Sequence, residues 1–115
     1  PASNRFLWAD IERAARDLAL RYGEIYVVTG PIYHGDRIGW IGIGRRVPVP
    51  THLFKAVYIP SIGMGGAWIA ANAPGKAWRG VSLEEMADIA RIDMFPAARG
   101  AKAMQMPAPV GRRGS

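Results

Sequence analysis

The 115-residue chain contains no cysteine. Disulfides and thiolate metal sites are therefore excluded, and with two histidines in all a structural zinc site is disfavoured. The redox compartment stays open, because secreted proteins can also lack cysteine. No apolar run approaches the length of a membrane span, so no membrane partner is expected. Residues Asn4 to Arg21 are too charged for a signal peptide. Phosphate-cradling motifs are missing: there is no G-x-x-x-x-G-K-[ST] loop and no GxGxxG. Gly39, Gly42 and Gly44 fall in a hairpin pattern without a strand-to-helix setting. An H-E-x-x-H pair and a serine nucleophile elbow are absent too. Acidic residues are few, nine against fifteen basic, which leaves a net charge of +6.

Half of the residues are hydrophobic, enough to fold, and the length fits one domain around one core. Twelve of the fifteen basic residues are arginine, whose planar fork suits phosphate. The bias points to nucleic acid only weakly. Arg99, Lys102, Arg112 and Arg113 lie in a closing stretch without acids and supply four of the six net charges.

Periodicity gives the organisation. Leu7, Ile11, Leu18 and Tyr22 form an amphipathic stripe, so residues 4–22 read as a helix. Ser3 or Asn4 can cap it, and Gly23 stops it. Ile25 to Thr29 reads as a buried strand ended by Gly30-Pro31. Residues 37–49 look like a hairpin, with Pro48 and Pro50 favouring edge positions. Leu53 to Ile59 and Ala67 to Ala71 read as strands, separated by a glycine-rich turn from Ser61 to Gly66. Residues 72–80 read as a loop. Ser82 and Glu85 form a capping-box signature for a second helix ending near Ala90. The expected fold class is α+β, a mostly antiparallel sheet with a long N-terminal helix and a short C-terminal one. Residues 1–97 form the expected domain, and 98–115 an extended or mobile basic tail.

One pattern carries chemistry. Asn4, Trp8, Glu12 and Arg16 stand four residues apart, about one helical turn per step, so they share one side of the first helix. Read alone, Asn4 is a helix cap and Glu12–Arg16 a surface ion pair of a few tenths of a kcal/mol, acid first in the favourable order. Trp8 reads as core that braces the helix. Asp10, Arg13, Asp17 and Arg21 read as solvated helix charges. His52 beside proline and threonine reads as a hydrogen-bonded structural residue, and His34 as a loop residue with a low prior as a base. Lys55 either reaches phosphate or merely flanks its strand.

The ladder, followed in order by Tyr26-Val27-Val28-Thr29-Gly30-Pro31, Val49-Pro50-Thr51-His52-Leu53-Phe54-Lys55, Asn72-Ala73-Pro74 and the Phe95-Pro96 ending, resembles the DNA/RNA non-specific endonucleases of the ββα-metal class, the endonuclease G-like nucleases. The resemblance covers roughly residues 4 to 97. It implies an incomplete ββα-metal fold. It also implies Asn4 as ligand of one Mg²⁺, with Mn²⁺ a substitute, an amide oxygen being a hard donor suited to that ion. Glu12 would orient metal-bound water and steady Arg16, which would contact the scissile phosphate; Lys55 would be a further substrate contact. His52 would be structural. The implied reaction is Mg²⁺-dependent hydrolysis of DNA and RNA phosphodiesters through the backbone, without reading bases. Family members are often secreted, periplasmic or organellar, and the compartment here is left unknown.

Two departures from the family pattern stand out. Ala87 replaces a usual glutamate, and Ala90-Arg91 a usual Thr-Gly. More important, the family's Asp-Arg-Gly-His motif, which bears the catalytic histidine, does not occur in the sequence. The expectation is therefore the C-terminal portion of a nuclease, separated by cleavage or supplied as a separate polypeptide, inactive alone and completed by an N-terminal companion carrying that motif, because a half-sheet would expose edges. A catalytically dead nucleic-acid-binding relative and an unrelated α+β interaction module are the alternatives. An inhibitor or immunity protein is left open.

Overall fold

The computed structural model describes residues 5–33, 39–41, 47–49, 51–75, 77–92 and 94–110. Helix α1 spans Arg5–Tyr22, followed by strands β1 (Tyr26–Ile32), β2 (Gly39–Ile41), β3 (Val47–Val49), β4 (His52–Ile59), β5 (Met64–Ala71) and β6 (Trp78–Val81). Helix α2 covers Leu83–Ala90, a 3₁₀ turn Pro96–Ala98, and a two-residue strand β7 Lys102–Ala103. The architecture is α+β with a mostly antiparallel sheet, as the sequence predicts. Strands β1, β4, β5 and β6 lie side by side in that order, and β7 runs parallel to the start of β5. β2 and β3 form the separate hairpin expected over 37–49.

The two helices cover opposite faces of the sheet, and strand parity decides which residue meets which. Leu7, Ile11, Ala15 and Leu18 of α1 pack on Val57, Ile59, Trp68 and Ala70. On the other face Met86 of α2 packs with Ile32, Phe54, Ala56, Ala67, Ile69 and Val81. Burial on both faces explains why β5 carries six consecutive buried residues, Gly65 to Ala70, instead of an alternating pattern.

Helix ends follow local chemistry. Gly23, at φ 87°, ends α1 and its N–H donates to the Ala19 carbonyl. Ser82 Oγ accepts from the Glu85 N–H at 3.0 Å, so the predicted N-cap of α2 forms. The Glu85 carboxylate faces Arg79 at 3.5 Å. α2 closes on Arg91 in the left-handed conformation, φ 60°. That is the position where the glycine of the usual Thr-Gly pair is replaced.

Several sequence expectations are corrected. β1 does not stop at Gly30-Pro31 but runs through them to Ile32, and as a marginal strand it is largely exposed, not buried. β5 begins at Met64, not Ala67. Its glycines are there because neighbours press on the backbone from both sides, not because the chain turns. A Cβ on Gly65 would lie 2.5 Å from Leu83 Cδ1, and one on Gly66 would lie 2.5 Å from Met106 Sδ. β6 occupies Trp78–Val81, which reads as loop because Asn72 to Gly75 dominate the local turn signal. Asp10 is not solvated: it is 1% exposed on the buried side of α1, its carboxylate 3.6 Å from Arg13 Nη1. A buried carboxylate needs such company, because desolvating an unpaired one is costly. Finally, residues 98–110 are extended but packed. Lys102 N–H donates to the Gly63 carbonyl, Met106 is buried, and Trp68 Nε1 donates to the Pro107 carbonyl at 2.8 Å.

β1 lies at the margin of the sheet, with no strand on its outer side among the described residues. Tyr26 and Val27 at its start are exposed, Tyr26 stacking on Tyr58.

Candidate functional site

Trp8, Glu12 and Arg16 fall on successive turns of α1. Trp8 is half-buried against the core that α1 shares with the sheet, so it braces the helix as expected. Glu12 and Arg16 project to solvent. Asn4, the expected metal ligand, lies outside the described residues, as do its capping role and His34.

Glu12 and Arg16 make no ion pair with each other among the described residues, contrary to the i,i+4 expectation. Two long exposed side chains gain little from pairing in water and lose rotamer freedom.

Lys55 is the least expected member of the site. It is 7% exposed. Its strand parity places it with Leu53, Val57 and Ile59 on the face that α1 covers. The ammonium donates to Thr29 Oγ1 at 2.9 Å and lies 5.4 Å from the centroid of the Trp8 ring. Thr29 and Lys55 are directly opposite each other across the β1–β4 ladder. Burial lowers the Lys55 pKa below its ordinary 10.5, and the negative charge of Glu12 partly opposes the shift. The expected role of Lys55 as a phosphate contact therefore meets a side chain turned inward. Sequence reasoning missed Thr29 as its partner, since register is not written in either strand alone. The alternation of Leu53, Lys55, Val57 and Ile59 was a usable signal that Lys55 faces the core.

Beside the ladder, the seam between α1 and the sheet opens into a cleft of about 180 Å³. Arg5, Trp8 and Glu12 line one wall, and Leu53, Ala70 and Ala71 the other. At this end of the sheet the His52 ring is tied down. Thr51 Oγ1 donates to the Ile32 carbonyl at 3.2 Å and lies 2.9 Å from His52 Nδ1. A hydroxyl has one proton, so with that proton on Ile32 the imidazole Nδ1–H is the donor. This fits the structural reading of His52.

The glycine of Thr29-Gly30-Pro31 also has a packing reason. Gly30 lies opposite Phe54, and a Cβ there would come within 2.9 Å of the Phe54 ring.

The donor set is hard. Among the described residues no group of three His, Cys, Asp or Glu side chains could hold a metal ion. Glu12 offers an exposed carboxylate, a hard donor of the kind Mg²⁺ takes. Arg16, one turn on, places a permanent positive charge on the same side, suited to a phosphate.

The family model described as DNA/RNA non-specific endonuclease matches residues 1–98. Among curated proteins, mitochondrial endonuclease G of Bos taurus is 31% identical over 85 residues, covering 64% of this chain and 28% of its own length. The mitochondrial nuclease EXOG of Xenopus laevis is 32% identical over 85 residues, covering 63% of this chain and 24% of its own. The mitochondrial nuclease 1 of Schizosaccharomyces pombe is 38% identical over 63 residues, covering 47% and 20% respectively. The chain thus spans between 20% and 28% of the length of these relatives. No solved structure matches significantly.

Proposed function

The chain belongs to the DNA/RNA non-specific endonuclease family, and from that premise we propose that it supplies the metal-ligand helix of a Mg²⁺-dependent, sugar-non-specific endonuclease. The observation that carries this reading is the placement of Glu12 and Arg16. Both are exposed on one side of a helix whose buried side is locked to the sheet. A rigid element is where catalytic groups hold productive geometry.

Asn4 and Glu12 are the residues that would hold the ion and its waters. Magnesium at such a site polarises a phosphate oxygen and stabilises the charge that builds on it. Arg16 binds the scissile phosphate and neutralises its developing charge, where a preorganised donor is most effective. Glu12 would orient bound water. None of these residues reads a base edge, which suits a substrate recognised by its backbone, DNA or RNA alike.

The histidine that would deprotonate water is assigned to an N-terminal piece bearing Asp-Arg-Gly-His, whether that piece belongs to the same protein or to a separate polypeptide. The open side of β1, with Tyr26 and Val27 exposed, supports the need for one, because an uncovered edge invites pairing. Organellar residence is part of the proposal, by analogy with the mitochondrial names of the relatives.

Plasmid nicking tests the reading, with Mg²⁺ or chelator, by this chain alone and with an Asp-Arg-Gly-His fragment added. The expected result is metal-dependent nicking only in the mixture. Nicking by the chain alone would move the base to His34 or His52. Tight salt-sensitive DNA binding without cutting in the mixture would favour the binding-only relative.

A further inference from the structure

We propose that Lys55 is a positioning residue, which fixes the register of α1 on the sheet through Thr29 and Trp8 and thereby places Glu12, one turn beyond Trp8. A lysine inside an apolar face is costly, so its ammonium must be met by partners. Here the partners come from two elements, the hydroxyl of Thr29 on β1 and the indole face of Trp8 on α1. Cation–π attraction and a charge-assisted hydrogen bond are both directional, so they locate the ammonium. They locate Trp8 as well.

Hydrophobic packing seats α1 on the sheet, but the attraction is non-directional, so a directional contact sharpens the placement. A single charged contact at Trp8 supplies it at the centre of the ladder. Glu12 stands one turn further on, so its place on the surface follows that of Trp8. Lys55 therefore acts on the exposed acid through the seating of the helix, from inside the protein.

The catalytic consequence rests on the endonuclease reading; the alignment itself does not. The test uses Lys55→Met, Lys55→Arg, Thr29→Val and Glu12→Gln, with the Lys55→Met/Glu12→Gln double variant. Thr29 is exposed on an edge strand, so Thr29→Val keeps the fold if Lys55→Met does not. In the nicking mixture Lys55→Met is expected to lower turnover about 10- to 100-fold, the usual effect of a small misplacement. KM for DNA stays unchanged, Lys55→Arg restores part of the loss, and Thr29→Val falls in between. In the Glu12→Gln background Lys55→Met adds little.

Two outcomes overturn the proposal. One is additivity of the Lys55 and Glu12 effects. The other is a salt dependence of DNA binding weakened by about one counterion in Lys55→Met, which would make Lys55 a phosphate contact. If the wild-type mixture cuts nothing, the endonuclease reading fails. The same double-variant cycle, read as urea unfolding midpoints of this chain, then decides the alignment: non-additive shifts uphold it, additive shifts overturn it.

Discussion

Trp68 and Pro107 are joined by a 2.8 Å hydrogen bond from the indole Nε1 to the carbonyl, although 39 residues separate them. Trp68 is fully buried at the centre of the sheet, so its N–H needs a partner, and the closing stretch of the chain provides it. Beside it Met106 fills the space over Gly66 and Gly80. Met106→Ala is expected to cost about 2 to 5 kcal/mol, the range for emptying a core site. Trp68→Phe should cost at least about 1 kcal/mol for the hydrogen bond alone. Urea unfolding of the two variants checks both values. Wild-type stability in Met106→Ala would mean that the closing stretch does not hold to the core.

Arg91 sits at φ 60° at the end of α2. The left-handed region disfavours a residue with a Cβ by about 1 to 2 kcal/mol, and glycine avoids that penalty. Arg91→Gly should therefore raise the unfolding free energy by about 1 kcal/mol, less what glycine gains in the unfolded chain. Thermal unfolding measures it; a lower midpoint would point to a lost contact of the guanidinium.

The lowered pKa of Lys55 links stability to alkaline pH. Burial disfavours its charged form in the folded protein, outweighing Glu12. Between the lowered folded value and the ordinary 10.5, the unfolded chain binds more protons than the folded one. The contribution of Lys55 to stability must then rise with pH through that window. The difference in unfolding free energy between wild type and Lys55→Met, followed from about pH 8 to 10.5, should shift in favour of wild type. A flat difference would mean that the ammonium keeps its water.

Arg16→Ala should reduce turnover of the completed nuclease by about 10²- to 10³-fold, as when one transition-state donor is removed. A loss confined to DNA affinity, and sensitive to salt, would make Arg16 a positioning contact instead. Asn4→Ala should abolish Mg²⁺-dependent cleavage without changing thermal unfolding. A lower unfolding temperature with full cleavage would assign Asn4 to helix capping.

Much of this fold was legible because its strongest signals are local. The apolar stripe of α1, the β-branched run of β1 and the Ser82 cap of α2 each state their structure within a few residues. What failed to read depends on partners far away in sequence. Gly65 and Gly66 look like a turn until Leu83 and Met106 are seen lying against them. The stretch around Met106 looks like tail until Trp68 is seen above it. Asp10 looks solvated by composition, although its place beside Leu7 and Ile11 puts it on the buried side. In the site, helical spacing was enough to align Glu12 and Arg16. The environment of Lys55 needed the register of two strands and the position of a helix together.

The long edge of β5 is covered in two instalments, by β6 over Ala67–Ala70 and by β7 at Met64 and Gly65. The second arrives only after α2 and the Phe95-Pro96 corner have been laid down. During synthesis, then, the centre of the sheet stands incomplete after α1 and strands β1, β4, β5 and β6 have already left the ribosome. Its indole stays unpartnered and its glycine backbone bare until residues 102–107 emerge. Such a half-closed sheet is the kind of species that aggregates or recruits a chaperone. Ribosome-bound chains halted before and after Pro107 has cleared the exit tunnel should differ sharply in protease resistance for that reason.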